Sequence, residues 1–216
     1  MQKIEIILEA IRTELEARNA ARDVALQRSR ALIRDCANAI RAAHRGDLDE
    51  ARTQLTTAGE AVRQLKADLE PYPDLYYTGY VQDALKEYVE AQGVYAFMTD
   101  GDLPAPSELG VEPAAYLNGL AEAASELRRH ALDLMRRNEL ERAGQILGMM
   151  DEVYDRLMTM DFPEAITGGL RRNTDLLRGV VERTRGDLTT AIRQEMMRAA
   201  LQEFEKKLEL EIGSRG

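Results

Sequence analysis

Apolar residues recur along most of the chain at the three- and four-residue intervals of an amphipathic helix. The first segment, from about residue 4 to residue 44, begins with Ile4, Ile7, Leu8 and Ile11 on one side of a helical wheel. It predicts one long helix or a pair of helices. Ala, Leu, Glu and Arg dominate the whole sequence, and no stretch alternates with the two-residue period of a strand. We therefore predict an all-α protein.

Glycines, prolines and capping residues divide the first two thirds of the chain into four predicted helices. Gly46 ends the first segment, and Asp47 with Glu50 forms a capping-box pattern that opens a second helix reaching about residue 69. Prolines follow it, and a third helix is predicted from about residue 74 to residue 98. Residues 99–112 contain two glycines and two prolines and are predicted to form the longest loop. Pro113 then begins a fourth helix that ends near residue 137.

The remainder of the chain predicts a short helical piece between longer helices. Asn138 with Glu141 forms a second capping-box pattern, which opens a fifth helix to about residue 158. A short sixth piece lies between Pro163 and the Gly168–Gly169 pair. A helix over about 170–185 then precedes a last one, which Asp187 caps and which ends near residue 212. The expected total is about seven helices.

Composition narrows the class of protein. At 216 residues, of which 44% are hydrophobic, the chain can bury a sizeable core, and we assign residues 1–216 to a single domain. One cysteine, Cys36, excludes an internal disulfide framework and a cysteine-based zinc site. No apolar run approaches the roughly 20 residues of a membrane span, and the N-terminus has no signal-peptide pattern. A soluble, cytoplasmic protein with no membrane partner is expected.

Charge is distributed unevenly along the chain, whose formal net charge is −9. Residues 67–127 hold twelve acidic side chains and one basic side chain, Lys86, while the remaining residues are close to neutral. An acidic outer face on an arginine-rich protein is one explanation. The other is an acidic centre that binds a divalent cation, with arginines around it that bind phosphate groups.

Two pairs of glutamates are the candidate ligands for such a cation. Glu87 and Glu90 share one side of the third predicted helix, which is apolar nearly all round, so their burial requires pairing, protonation or a metal. Glu122 and Glu126 lie on the fourth predicted helix among small residues that allow close helix packing. If the two helices pack antiparallel across the 99–112 loop, the four carboxylates converge. Four such oxygen ligands suit Mg²⁺ or Mn²⁺ rather than Zn²⁺.

Other interpretations of the same residues stay open. The glutamates of the fourth helix could be surface residues that face Arg128 or Arg129. A di-iron bundle is disfavoured because it needs two Glu-x-x-His motifs, and His130 follows Glu126 by four residues.

Arginines and tyrosines are candidates for nucleic-acid contacts. A stripe of arginines on the first helix, within a narrow arc of the wheel, could follow a phosphate backbone or be an ordinary exposed face balanced by acidic neighbours. Six of the eight tyrosines lie between Tyr72 and Tyr95, where they could stack on unpaired bases or pack in the core. The arginine stripe consists of Arg30, Arg34, Arg41 and Arg45.

Several of these residues stand in motifs that resemble the translin family, and most closely its TRAX-like (translin-associated factor X) members. The Glu-Tyr-Val-Glu-Ala motif is specific to TRAX-like proteins, and translin itself lacks the acidic pair. The similarity covers most of the chain. The segments that carry it are Tyr76-Tyr77, Lys86-Glu87-Tyr88-Val89-Glu90-Ala91, Gly110-Val111-Glu112-Pro113, Tyr116-Leu117-x-Gly119 and Ser125-Glu126-Leu127.

The resemblance implies a fold, an activity and a set of site residues. Family members are seven-helix domains that assemble into closed oligomers, often octamers, around a cavity. TRAX-like subunits are Mg²⁺-dependent endoribonucleases, while translin contributes RNA and single-stranded DNA binding. By position, the resemblance places catalytic carboxylates on Glu87, Glu90 and Glu126, with Glu90 as general base, and a fourth metal ligand on Glu122, where the family usually has Asp.

The resemblance also shows one departure. The basic stretch that follows translin's paired tyrosines is replaced here by Thr78-Gly79-Tyr80-Val81, so the arginine stripe would have to bind the RNA. We therefore expect a metal-dependent endoribonuclease that acts on RNA inside a homo-oligomeric shell. The alternatives are a non-catalytic RNA- or single-stranded-DNA-binding protein and a purely structural helical assembly.

Overall fold

Nine helices follow one another in the computed structural model, which describes residues 2–213 and the side chains of residues 3–210. Within that range the chain forms no strand, so the prediction of an all-α protein is confirmed. The helices are α1 (Gln2–His44), α2 (Leu48–Leu69), α3 (Pro73–Tyr76), α4 (Gly79–Thr99), α5 (Pro106–Leu109), α6 (Pro113–Arg136), α7 (Leu140–Leu157), α8 (Glu164–Thr167) and α9 (Leu170–Gly213).

The first half of the chain follows the prediction with two differences. The segment up to His44 is one helix, and the side chain of Asp47 caps α2 by accepting a hydrogen bond from the backbone of Glu50. The third predicted helix is divided into α3 and α4, because the chain adopts an extended conformation at Thr78. The predicted loop after α4 contains the single helical turn α5, which begins at Pro106.

The second half differs from the prediction at both proposed caps. Asn138 does not cap α7: its φ of 61° places it in the left-handed region just after α6, and Glu139 is the residue before α7. Asp187 does not begin a separate helix, because α9 continues through it without a break. The side chain of Asp187 instead accepts a hydrogen bond from Arg128 of α6. No proline occurs after Pro163, so no residue of that type interrupts α9.

Two groups of helices each bury their own apolar core. Helices α1, α2 and α4 pack together around Leu32, Leu65 and Leu85, which are completely buried. Helices α6, α7 and α9 pack around a second set that includes Leu127 and Ile146. The interface between α4 and α6 joins the two groups, so residues on these two helices lie at the centre of the molecule.

Helices α4 and α6 run in the same direction, which corrects the expected antiparallel packing. Gly119 of α6 lies against Val89, and Ala123 of α6 lies against Gly93, so residue numbers increase together along both helices. The connecting segment makes this possible by returning along α4. Near its end the hydroxyl of Tyr76, just before α4, donates to the carboxylate of Glu112, just before α6, at 3.2 Å, so α6 begins beside the start of α4.

The closeness of the α4–α6 crossing depends on one glycine in particular. A Cβ atom built on Gly119 would lie 2.5 Å from the backbone oxygen of Lys86 and 2.7 Å from Cβ of Val89. Neither atom can move without shifting the α4 backbone. The missing side chain thus lets the two helices approach at the level of Lys86.

The outer parts of α1 and α9 expose apolar side chains on helical stripes. The first buried residue of α1 is Ala25, and the last buried residue of α9 is Leu188. Among the described residues, no helix is long and apolar enough to span a membrane. The exposed apolar residues include Ile4, Ile7, Leu8, Ile11 and Leu15 on α1, and Met196, Met197, Leu201, Phe204 and Leu208 on α9.

Candidate metal centre

Three glutamates meet at the α4–α6 interface. Each of Glu87, Glu90 and Glu122 offers a carboxylate oxygen that lies within 4.8 Å of the other two. Glu87 and Glu90 are one helical turn apart on α4, and Glu122 reaches them from α6 because Gly119 brings the helices close. All three are partly buried. The group offers oxygen atoms alone, a donor set that fits a hard divalent cation such as Mg²⁺ or Mn²⁺.

Lys86 and Asn173 hold the carboxylate of Glu122. The Nζ atom of Lys86 lies 2.8 Å from Oε1 of Glu122 and 3.8 Å from Oε1 of Glu87. Asn173 of α9 donates from Nδ2 to the same oxygen of Glu122 at 3.3 Å and to Oδ1 of buried Asn118 at 2.9 Å. Glu122 is therefore oriented from α4 and from α9 at once.

The positive charge beside the cluster neutralises only part of the negative charge of its carboxylates. Burial, together with the negative charges of Glu87, Glu122 and Glu126, raises the pKa of Glu90 to about 8, against the smaller opposing effect of Lys86. Burial also raises the pKa of Glu87, although Lys86 counteracts it. One ammonium group is thus too little positive charge for these carboxylates, and a divalent cation would supply what is missing.

Glu126, the fourth predicted ligand, lies near this group but is not part of it. Its charge acts on Glu90, yet its Oε1 atom is 2.8 Å from Nε2 of His44 at the end of α1. The structure therefore brings three of the four predicted carboxylates together and pairs the fourth with a histidine. Of the four carboxylates expected to converge, Glu87, Glu90 and Glu122 lie within 4.8 Å of one another.

The alternative partners considered for the glutamates of α6 are not used. Arg128 turns to α9, where it donates to Thr184 at 3.1 Å and to Asp187 at 2.8 Å. It makes no ion pair with Glu122 or Glu126. The partners of Glu122 and Glu126 are instead Lys86 and His44, respectively.

The arginine stripe lies on the outer side of α1. Its four side chains are exposed and project roughly opposite to the buried positions of the same helix, such as Leu32, Cys36 and Ala39. Arg34 approaches Asp35 at 4.0 Å, and Arg41 donates to Asn38, whereas the described residues give Arg30 and Arg45 no ion pair. The stripe and the carboxylate cluster therefore lie on different sides of α1.

Most of the clustered tyrosines are structural. Tyr76 and Tyr88 are buried, and Tyr72, Tyr80 and Tyr95 pack against the same core. Tyr77 is 64% exposed and is the member of the group whose ring is open to solvent. Five of these six tyrosines therefore pack in the core, and Tyr77 alone among them is accessible for stacking.

A cleft of about 840 Å³ opens beside the carboxylate cluster. Its lining includes Lys86, Glu122 and Asn173, and also Arg172 and Tyr77. The cleft gives a ligand of nucleotide size access to Glu122 from solvent.

Three polar residues of this region were not predicted as part of the site. Lys86 is the only basic side chain between residues 67 and 127, a signal that could have marked it as the internal partner of the glutamates. His44 and Asn173 carry no such signal, since they lie 82 and 51 residues from the glutamates they contact.

The sequence as a whole is similar to a family of known proteins. A model of the translin family matches residues 5–184. The uncharacterised protein MJ0175 of Methanocaldococcus jannaschii is 32% identical over 189 residues, which are 87% of this chain and 83% of that protein.

Solved structures show the same fold. AfC3PO in complex with duplex RNA matches with a TM-score of 0.82 at 34% identity, over 88% of this chain and 98% of that one. AfC3PO by itself gives a TM-score of 0.81 at 34% identity with the same coverage, 88% and 98%. The structure of apo-NeC3PO, at 21% identity, shares the fold with a TM-score of 0.78 over 85% of this chain and 96% of that one.

Proposed function

The chain belongs to the translin family, and we propose that within it this protein is a metal-dependent endoribonuclease of TRAX type. The observation that carries the proposal is the group formed by Glu87, Glu90 and Glu122, whose oxygen atoms lie within 4.8 Å of one another beside an open cleft. A translin-like protein that only binds nucleic acid has no need to bury three carboxylates together, because their mutual repulsion costs stability.

The glutamates of the cluster and Lys86 have different roles in the proposed reaction. Glu87, Glu90 and Glu122 would hold Mg²⁺ or Mn²⁺, with Glu126 beside them as a further ligand. A divalent cation supplies Lewis-acid stabilisation of the negative charge that develops on the phosphate. An oxygen of Glu90 would accept the proton of the attacking water as a general base. Lys86 keeps Glu122 in place and adds positive charge at the wall of the cleft.

Metal removal tests this proposal directly. We expect the purified protein to cleave a labelled RNA in Mn²⁺ or Mg²⁺ and to lose this activity completely in EDTA, because the carboxylates cannot stabilise the phosphate charge without a cation. Readdition of Mn²⁺ after EDTA should restore cleavage, which separates metal dependence from irreversible unfolding. Cleavage that continues at full rate in EDTA would refute the metal-dependent mechanism. RNA binding without cleavage in either metal would leave the non-catalytic alternative.

We propose RNA as the main ligand, with single-stranded DNA as a second one to be compared in the same assay. The structure of AfC3PO, which is 34% identical, has been solved in complex with duplex RNA. The exposed arginine stripe on α1 would bind phosphates that lie away from the cluster, since it faces the other side of that helix. The cleft beside Glu122 would receive the strand that is cut.

We further propose that the subunits assemble into a closed oligomer, such as an octamer, through the apolar stripes of α1 and α9. Burial of these stripes against a second copy would remove large apolar side chains such as Ile7, Ile11 and Phe204 from water. Obligate interfaces of this kind bury about 2,000 Å² or more.

Light scattering tests the assembly. At micromolar concentration we expect a mass that is a multiple of 24.3 kDa, and Ile7→Glu with Ile11→Glu should reduce it. Thr13→Glu adds a charge to the opposite side of the same helix and serves as the control, which should leave the mass unchanged. A wild-type monomer under these conditions would contradict the enclosed-shell mechanism.

A further inference from the structure

His44 is a buried histidine that reaches the edge of the carboxylate cluster from a distant part of the chain. Its side chain is 1% exposed, and its Nε2 atom lies 2.8 Å from Oε1 of Glu126, although 82 residues separate the two. The other ring nitrogen, Nδ1, is buried and has no hydrogen-bond partner among the described residues. The imidazole therefore makes its one hydrogen bond to Glu126.

The partners of the ring determine where its hydrogen sits. The ionised carboxylate of Glu126 can only accept, so Nε2 of His44 must be the donor. A second hydrogen on Nδ1 would be a buried donor without an acceptor, which costs more than a bare acceptor nitrogen. The neutral tautomer with hydrogen on Nε2 satisfies both conditions. The N–H bond then points at one oxygen of Glu126 and leaves the second oxygen free.

Glu126 has no other described partner that would fix its orientation. It stands one turn after Glu122 on α6, and its charge is felt by Glu90, although it lies outside the group of three carboxylates. A flexible glutamate in this place could turn towards solvent, since about a third of its side chain is exposed. The hydrogen bond from His44 opposes that movement.

We propose that His44 is a positioning residue, which holds Glu126 beside Glu87, Glu90 and Glu122 so that its free oxygen completes the cation site. The inference rests on the proposed function, because it takes the cluster to be a site for Mg²⁺ or Mn²⁺. Hydrogen-bond partners of ligating carboxylates orient them in the same way in other metal proteins, and their loss typically weakens metal affinity about 10- to 100-fold.

Paired substitutions separate positioning from packing. The amide nitrogen of glutamine reaches about as far as Nε2 of histidine, whereas that of asparagine stops near the place of Nδ1. Leucine fills a similar volume and donates no hydrogen bond. Mn²⁺ affinity, measured on the full-length protein from the electron paramagnetic resonance signal of free Mn²⁺, is the readout, and it does not require RNA or catalysis.

We expect His44→Gln to bind Mn²⁺ within about threefold of wild type, and His44→Leu and His44→Asn to bind it about 10- to 100-fold more weakly. Adding His44→Leu to Glu126→Gln should cause no further loss, because the two residues act through one contact. If His44→Leu is too unstable to fold, the comparison of the Gln and Asn variants decides the question.

Some outcomes would overturn the inference alone, and one would overturn the proposed function as well. Wild-type affinity in His44→Asn, or losses that add independently to those of Glu126→Gln, would show that His44 serves packing alone. Mn²⁺ binding that Glu90→Gln abolishes but His44 variants leave intact would refute the inference and retain the proposed function. A wild-type protein with no saturable Mn²⁺ binding would refute both.

Discussion

Glu90→Gln should lower the rate of RNA cleavage by about a hundredfold to ten-thousandfold, the usual contribution of a general acid or base. The substitution keeps the shape of the side chain but removes its charge and its ability to accept a proton. RNA binding, measured by fluorescence anisotropy, should persist or improve, because one negative charge beside the phosphates is lost. Glu60→Gln, at an exposed position of α2, is the matched control and should cleave normally. Undiminished cleavage by Glu90→Gln would exclude Glu90 from the reaction.

The same variant has a pH signature in the absence of metal. The pKa of Glu90 is about 8 in the folded protein against an ordinary value of 4.5, so the folded state keeps a proton that the unfolded state loses. Stability in EDTA should therefore fall as pH rises from about 4.5 to about 8, by at most about 1.4 kcal/mol per pH unit from this residue. When the free energy of unfolding in urea is measured at several pH values, Glu90→Gln should show a smaller decrease with rising pH. An unchanged decrease would mean that Glu90 keeps an ordinary pKa.

Gly119→Ala should destabilise the protein and also impair the site. The added methyl group would lie 2.5 Å from the backbone oxygen of Lys86, so α6 must move away from α4. Overpacking of this kind typically costs about 1–3 kcal/mol, which outweighs the gain of up to about 1 kcal/mol from the higher helix propensity of alanine. The movement would also separate Glu122 from Glu87 and Glu90, so Mn²⁺ affinity should fall together with stability.

Gly148→Ala provides the control for this prediction. Gly148 lies on the exposed side of α7, and a Cβ atom there meets nothing within 4 Å. The same substitution should raise the free energy of unfolding by about 0.5–1 kcal/mol at this position. Urea unfolding of both variants at one protein concentration checks the contrast, since self-association would otherwise contribute. If the two alanine variants were equally stable, the α4–α6 contact would not be as tight as described.

Helix content and the first part of the site could be predicted from local pattern. Apolar spacing and the positions of glycine and proline identified the helices, since both act over a few residues. Glu87 and Glu90 were recognisable because their own helix is apolar on nearly every side, which marks a buried segment. The predictions that Asn138 and Asp187 cap helices are wrong. Asp187 has a capping side chain, but its partner is Arg128 on another helix, which no local pattern reveals.

The direction of α6 and the second half of the site depend on contacts far apart in the chain. Two hydrogen bonds hold the 100–112 segment as it returns along α4. Lys66 donates to the backbone oxygen of Gly110, and Tyr116 donates to the backbone oxygen of Pro104. Such side-chain-to-backbone bonds have no signature in a sequence. The pairing of Glu126 with His44 is of the same kind, because it needs α1 to pack against α4 before the two residues can meet.

Cys36 lies in α1, on the side that packs against α4, completely buried and close to the carboxylate cluster. Its burial, together with the charges of Glu87, Asp35 and Glu90, raises the pKa of its thiol far above the usual range. Thiol reagents react with the thiolate, so the folded protein offers them neither access nor the reactive form. Because the chain has one cysteine, each labelling event reports an opening that exposes this one position of α1. The rate of alkylation thus measures how often α1 moves away from the helices that pack against Cys36.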